Sequence, residues 1–132
     1  MEDLGHWTTT QQIPENAFGF IYIITNTVTS KKYIGKKQMV SNIKRKPLKG
    51  KTRARRDQVE SKWRIYTSSS KELNQDIEKY GKDKFTFEIL RFCANKSQMA
   101  YYEAKEQFDR EVLLKEDYYN GIINLRLGKV KM

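Results

Sequence analysis

The chain has 132 residues, with 26 Lys and Arg against 16 Asp and Glu, for a formal charge of +10. That length allows one compact domain and little beyond it, and that charge calls for a polyanionic partner: DNA, RNA or an acidic membrane. The lone cysteine, Cys93, and the lone histidine, His6, exclude an intrachain disulfide, a thiolate zinc cluster and a His-rich metal site.

Residues 1–17 are polar and weakly patterned and read as an N-terminal extension. Met1-Glu2-Asp3 is not the basic start of a secretory signal. Trp7 offers an anchor if the segment docks, and Pro14 closes off any helix. No apolar run approaches membrane-spanning length, so the expectation is a soluble protein in a reducing compartment. Residues 18–132 read as a single domain. Phe20 to Ile24 is β-branched or aromatic throughout, as in a strand covered on both faces. Asn26, Thr27, Thr29 and Ser30 form a turn, and Lys32 to Gly35 a second strand. Paired antiparallel, the two strands put Tyr22 and Tyr33 on one face.

Residues 36–56 then carry Lys36, Lys37, Lys44, Arg45, Lys46, Lys49, Lys51, Arg53, Arg55 and Arg56 without one acidic residue. Pro47, Gly50 and the lack of helical periodicity predict an extended loop or irregular ribbon, inserted to track phosphates. Eight tyrosines and two tryptophans add stacking surfaces that favour nucleic acid. Asp57–Tyr66 leads into a helix capped by Ser68, Ser69 or Ser70 and ended at Gly81. Lys84–Phe92 alternates Phe85, Phe87 and Ile89 on one side and predicts a third strand. Ser97 caps a long helix from Gln98 to about Leu114, with Tyr101, Ala104, Phe108 and Val112 as its core-facing stripe. Tyr118–Leu125 closes the domain with a turn at Asn120-Gly121. The order predicts a small α/β (α+β) sandwich, a three-stranded, mainly antiparallel sheet flanked by helices.

Phe20-Ile21-Tyr22 and Tyr33-Ile34-Gly35, in paired strands and followed by a basic segment, resemble the signature of the GIY-YIG nuclease superfamily. Phe20 replaces the first glycine, and Gly19 stands one position earlier. The resemblance spans roughly residues 18–125 and implies a small stand-alone endonuclease of phage or mobile-element type. Such a protein works in the cytoplasm of a bacterium or a phage-infected host. It hydrolyses phosphodiesters in DNA, most naturally double-stranded, with one divalent ion, Mg²⁺ or Mn²⁺. It has no membrane partner, and a homo-oligomer is admitted. The resemblance assigns Tyr22 to orient or activate the water, with Tyr33 in support, and it points to a metal-binding glutamate near the start of the last helix.

A phenol is a poor base at neutral pH unless cations lower its pKa, and Lys36, Lys37 and the arginines are close enough in sequence to do so. Glu103 is the candidate metal ligand because it borders the apolar stripe, whereas Glu106 points further away. The arginine that the family places after its second strand is assigned to Arg56, with Arg45, Arg53, Arg55 and Arg64 left open. Asn124 resembles the asparagine that closes the domain, and Asn120 is its alternative. Nucleic-acid contacts are expected from Lys36, Lys37, Lys44, Arg45, Lys46, Lys49, Lys51, Arg53 and Arg55. A non-catalytic basic DNA- or RNA-binding protein on the same fold is the competing expectation. A small RNA-associated basic protein is a third.

Overall fold

The computed structural model describes residues 3–52 and 55–132, apart from the side chains of residues 42–45 and 55–57. In chain order the elements are β1 (Gly19–Asn26), β2 (Lys32–Gln38), β3 (Val40–Arg45), β4 (Arg55–Glu60), α1 (Lys71–Tyr80), β5 (Phe85–Cys93) and α2 (Lys96–Asp109). Short 3-10 turns lie at Trp63–Ile65 and Lys82–Lys84.

The apolar run of β1 is the centre of an antiparallel three-stranded sheet in the order β2-β1-β5. A central strand covered on both faces has no polar side to show, which accounts for its lack of alternation. On one face Phe20, Tyr22 and Ile24 join Phe85, Phe87 and Ile89, closed over by Trp7, Trp63 and Leu73 of α1. On the other, Ile21, Ile23 and Ile34 meet Cys93, Met99 of α2 and Val112. A register shift opposite Ile21 and Tyr22 reverses the alternation of β5. Thus Phe87 and Ile89 face the aromatic side, while Cys93 faces the aliphatic one.

α1 begins and ends where its caps predict. The Ser70 side chain accepts from the Leu73 amide, and Gly81 takes φ 95°. α2 departs from expectation at both ends and on its face. Asn95, not Ser97, is its N-cap and accepts from the Gln98 amide. It stops at Asp109 because Glu111 turns left-handed (φ 54°), with the Val112 amide donating to Gln107 O and the Glu111 amide to Phe108 O. That is a Schellman closure built without glycine, so no sequence cue marks it. The predicted stripe is also rotated. Tyr101 and Phe108 are 41% and 59% exposed, and the covered face is Met99, Ala104 and Gln107.

The basic segment is not a loop throughout. β2 runs on to Gln38, and β3 pairs with β4 from Val40↔Glu60 to Arg45↔Arg55 as a separate two-stranded sheet. The N-terminal segment is docked as well. Trp7 is buried and its indole N–H donates to Trp63 O at 2.6 Å. Thr8 forms a parallel bridge to Glu88, outside β5. Among the described residues no helix is long and apolar enough to cross a membrane.

Candidate active site

The register of β1 against β2 sets Tyr22 opposite Gly35 and Ile24 opposite Tyr33. Tyr22 and Tyr33 therefore share the aromatic face, with ring centroids 6.2 Å apart. Gly35 is what lets them lie flat on the strand. A Cβ there would meet the Tyr22 hydroxyl, stand 2.6 Å from Tyr22 Cζ and 2.9 Å from Tyr33 Cε2. Gly19 does the same for the other face, where a Cβ would fall 2.5 Å from Met99 Sδ and 2.6 Å from Lys37 O. Helix α2 can thus sit close to β1.

The expectation that cations lower the Tyr22 phenol is overturned. Burial, then the nearby Tyr66, Tyr33 and Glu103, hold it well above the ordinary phenol value. The two lysines are taken up by other groups. Lys37 lies over the Tyr66 ring at 4.5 Å, and Lys36, one residue away and so on the opposite face, turns to Glu103. Tyr22 is fully enclosed, packed against Trp7, Tyr33 and Tyr66 and hydrogen-bonded to Tyr66. Tyr33 is the phenol that reaches a cleft. Burial raises it too, opposed by a hydrogen bond to Ser69.

That cleft, about 450 Å³, wraps around the edge of β2 and is lined by Tyr33, Lys36, Ser69, Glu103, Gln107 and Asn120 among others. Because β2 is an edge strand, residues from both faces of the sheet meet there: Tyr33 from one side, Lys36 and α2 from the other. Glu103 is 21% exposed, with Lys36 Nζ 3.8 Å from its Oε1. Burial pushes its carboxyl above the ordinary range, and Lys36 opposes this. Glu106 instead holds Arg110 at 3.0 Å. The rotation of α2 accounts for the difference, since Glu103 stands one turn before the buried Gln107.

The central residue of the second motif, Ile34, is held from outside the sheet. Its amide donates to Asn120 Oδ1 at 3.0 Å. Its carbonyl accepts from Asn120 Nδ2 at 2.8 Å and Gln107 Nε2 at 3.2 Å. Asn120 is buried, whereas Asn124 is exposed and lines the same cleft. Of the arginines, Arg53 lies outside the described residues, as do the side chains of Lys44, Arg45, Arg55 and Arg56. Arg64 is engaged by Glu60, Asp3 and the Trp63 ring. Lys46, Lys49 and Lys51 are exposed between β3 and β4. Gln107, Tyr66 and Ser69 escaped sequence reasoning as site residues. The run Tyr66-Thr67-Ser68-Ser69-Ser70 read only as a helix start.

Among the described residues no three His, Cys, Asp or Glu side chains are grouped to hold a metal. Glu103 nonetheless fits a hard divalent ion bound through one carboxylate, with phosphate and water completing its shell. It faces a cleft, and 3.8 Å to Lys36 is too long for a direct hydrogen bond. Its oxygens keep acceptor capacity.

Residues 5–123 match the sequence family described as "Putative endonuclease segE, GIY-YIG domain". A match over most of the chain settles its class: the protein belongs to the GIY-YIG nuclease superfamily. The matched region begins at residue 5, within the segment that carries Trp7. No curated protein and no solved structure matches the chain.

Proposed function

We propose that the protein is a metal-dependent endonuclease that hydrolyses phosphodiester bonds in double-stranded DNA. The observation that carries this reading is the meeting of Tyr33, Lys36 and Glu103 in one cleft across the edge of β2. Glu103 would hold Mg²⁺ or Mn²⁺, which when bound supplies charge neutralisation at the scissile phosphate. Lys36 adds a fixed positive charge beside the same carboxylate. Tyr33 places its hydroxyl at the cleft wall, where it orients the attacking water or a phosphate oxygen, and Ser69 fixes its direction. Tyr22 works behind it. With its proton held by burial, it acts as a hydrogen-bond partner of Tyr66 behind Tyr33, the phenol that meets the water, and is not a standing base. Asn120, through both polar atoms of its amide, keeps the Tyr33–Gly35 strand in register with the cleft. The resemblance gives that role to Asn124, and the hydrogen bonds favour Asn120. The phosphate-holding arginine stays assigned to Arg56.

The protonated, enclosed Tyr22 favours one competing reading, a non-catalytic DNA or RNA binder. Supercoiled plasmid with and without Mg²⁺ separates the two. Metal-dependent nicking is expected, and Glu103→Gln should lower it by at least about 100-fold while duplex binding persists. Binding without cleavage in Mg²⁺ and Mn²⁺ would sink the nuclease reading.

A further inference from the structure

Three clefts run together along α2. One holds Tyr33 and Glu103. The next joins Glu103 to Arg126. The third is bounded by Lys96, Arg126 and Lys129. Lys36 lines all three, so they form one groove that leaves the β2 edge and follows the helix.

Its outer wall is the segment after Asn120. That segment is pinned at Lys131, whose amide donates to Ser97 Oγ at 3.1 Å. The Lys131 carbonyl accepts from Asn95 Nδ2 at 3.0 Å and Gln98 Nε2 at 3.1 Å. The segment therefore crosses the first turn of α2 as a strap, and the crossing sets Arg126 and Lys129 along the groove.

The far end of the groove has four cations in its lining, Lys36, Lys96, Arg126 and Lys129, and no carboxylate. Among the described residues, Lys96, Arg126 and Lys129 take part in no ion pair, unlike Lys31, Lys105 and Arg110. Lys36 has Glu103 beside it, but the other three cations, gathered in a concave surface without counter-charge, repel one another until an anion enters. Gln38 lines the same end, and its side chain donates to Val40 O where the β3–β4 hairpin departs. The groove thus joins the cleft of Glu103 to the root of the basic hairpin.

We infer that this far end is a phosphate-binding tract for duplex DNA. It takes backbone phosphates flanking the scissile one, with Arg126 and Lys129, delivered by the strap, as the main groups that hold them. The inference rests on the nuclease reading for the identity of its ligand. Guanidinium and ammonium groups on a pinned strap hold the backbone without reading bases, so the tract contributes position and affinity, not sequence choice.

The test uses the full chain carrying Glu103→Gln, a short labelled duplex, and affinity measured across a series of salt concentrations. Adding Arg126→Gln and Lys129→Gln should weaken binding on the order of tenfold. It should also flatten the log–log salt dependence by about 0.9 for each phosphate no longer neutralised. Lys84→Gln with Lys115→Gln removes the same charge from exposed positions elsewhere and should leave the slope nearly unchanged. Equal slopes for the two pairs overturn the tract, as does tighter binding of an RNA duplex of the same length. Plasmid nicking by the wild-type chain is run in parallel. If it nicks while the Arg126/Lys129 slope is unaltered, the tract alone fails. If the slope flattens but no metal supports cleavage, the nuclease reading fails and the groove stands as the anion track of a binder.

Discussion

The three-stranded sheet and the β3–β4 hairpin are both antiparallel, yet they hold their residues in opposite ways. β1 is covered by a helix and aromatic rings on one face and by α2 on the other. Its Tyr22, with Tyr33 of β2, is fixed to within what a missing Cβ at Gly35 allows. Among the described residues the hairpin pairs only with itself, and it carries exposed lysines between its strands. It is rooted through Met39, whose amide donates to Phe18 O at 2.8 Å, and through the Ser61 amide on Met39 O at 2.9 Å. A two-stranded ribbon is marginal by itself. The contrast separates two tasks. On the proposed reading, groups that must be placed lie in the packed sheet, and groups that need only be charged lie on the exposed ribbon, where changes are cheap.

The contrast breaks most visibly at Trp63, which is buried at the root of the hairpin and closes the aromatic face. Trp63→Ala should cost about 3–5 kcal/mol in urea unfolding. Gly35→Ala comes next, at about 1–3 kcal/mol for the forced shift of Tyr22 and Tyr33, and cleavage should fall with it.

Acid should produce a smaller effect. The His6 ring stacks on Phe87 at 3.9 Å, its Nε2–H donates to Tyr66 O, and its buried Nδ1 has no partner. Burial first, and Lys82 second, lower its pKa from 6.5 to about 4. Between those values the unfolded chain takes up a proton that the folded chain refuses. Stability is therefore full above pH 6.5 and falls as the pH drops toward 4. After allowance for solvent around the ring the loss is roughly 1–2 kcal/mol, and His6→Gln should flatten that limb of a Tm-versus-pH curve. The smallest stability change belongs to the hairpin. Lys49→Gln with Lys51→Gln should move unfolding by less than about 0.5 kcal/mol, while flattening the salt dependence of duplex binding by about 0.9 for each phosphate that goes unpaired.

What the sequence made legible follows the same division. The hairpin of Tyr22 and Tyr33, the α1 caps and the alternation of β5 could be read because burial and turn chemistry leave a local imprint on residue type. The β3–β4 ribbon left none, since a run of cations broken by Pro47 and Gly50 masks strand periodicity. The end of α2 was missed because Glu111 takes a conformation usually signalled by glycine. Reading Tyr101 and Phe108 as core put apolar character ahead of position and hid Gln107, a polar residue on the covered face. Glu103 lines the cleft even so. The Tyr22 environment was misjudged because neighbours in sequence alternate across a strand: Lys36 falls on the opposite face, and Lys37, on the same face, lies over the Tyr66 ring.

Both rims of the sheet are occupied by stretches from outside it. Along β5, Thr8 exchanges backbone hydrogen bonds with Phe87 and Ile89 at 2.8 Å each. Along β2, the Lys32 amide donates to Asp117 O and the Tyr119 amide to Lys32 O, and Asn120 takes both polar groups of Ile34. A second molecule seeking to continue the ladder would first have to displace Thr8 or Asn120. Self-association by strand addition, the common hazard of an open sheet, is thereby obstructed by the same hydrogen bonds that keep Ile34 in place. Shortening the chain past either residue would unseal a rim and favour aggregation over a defined assembly.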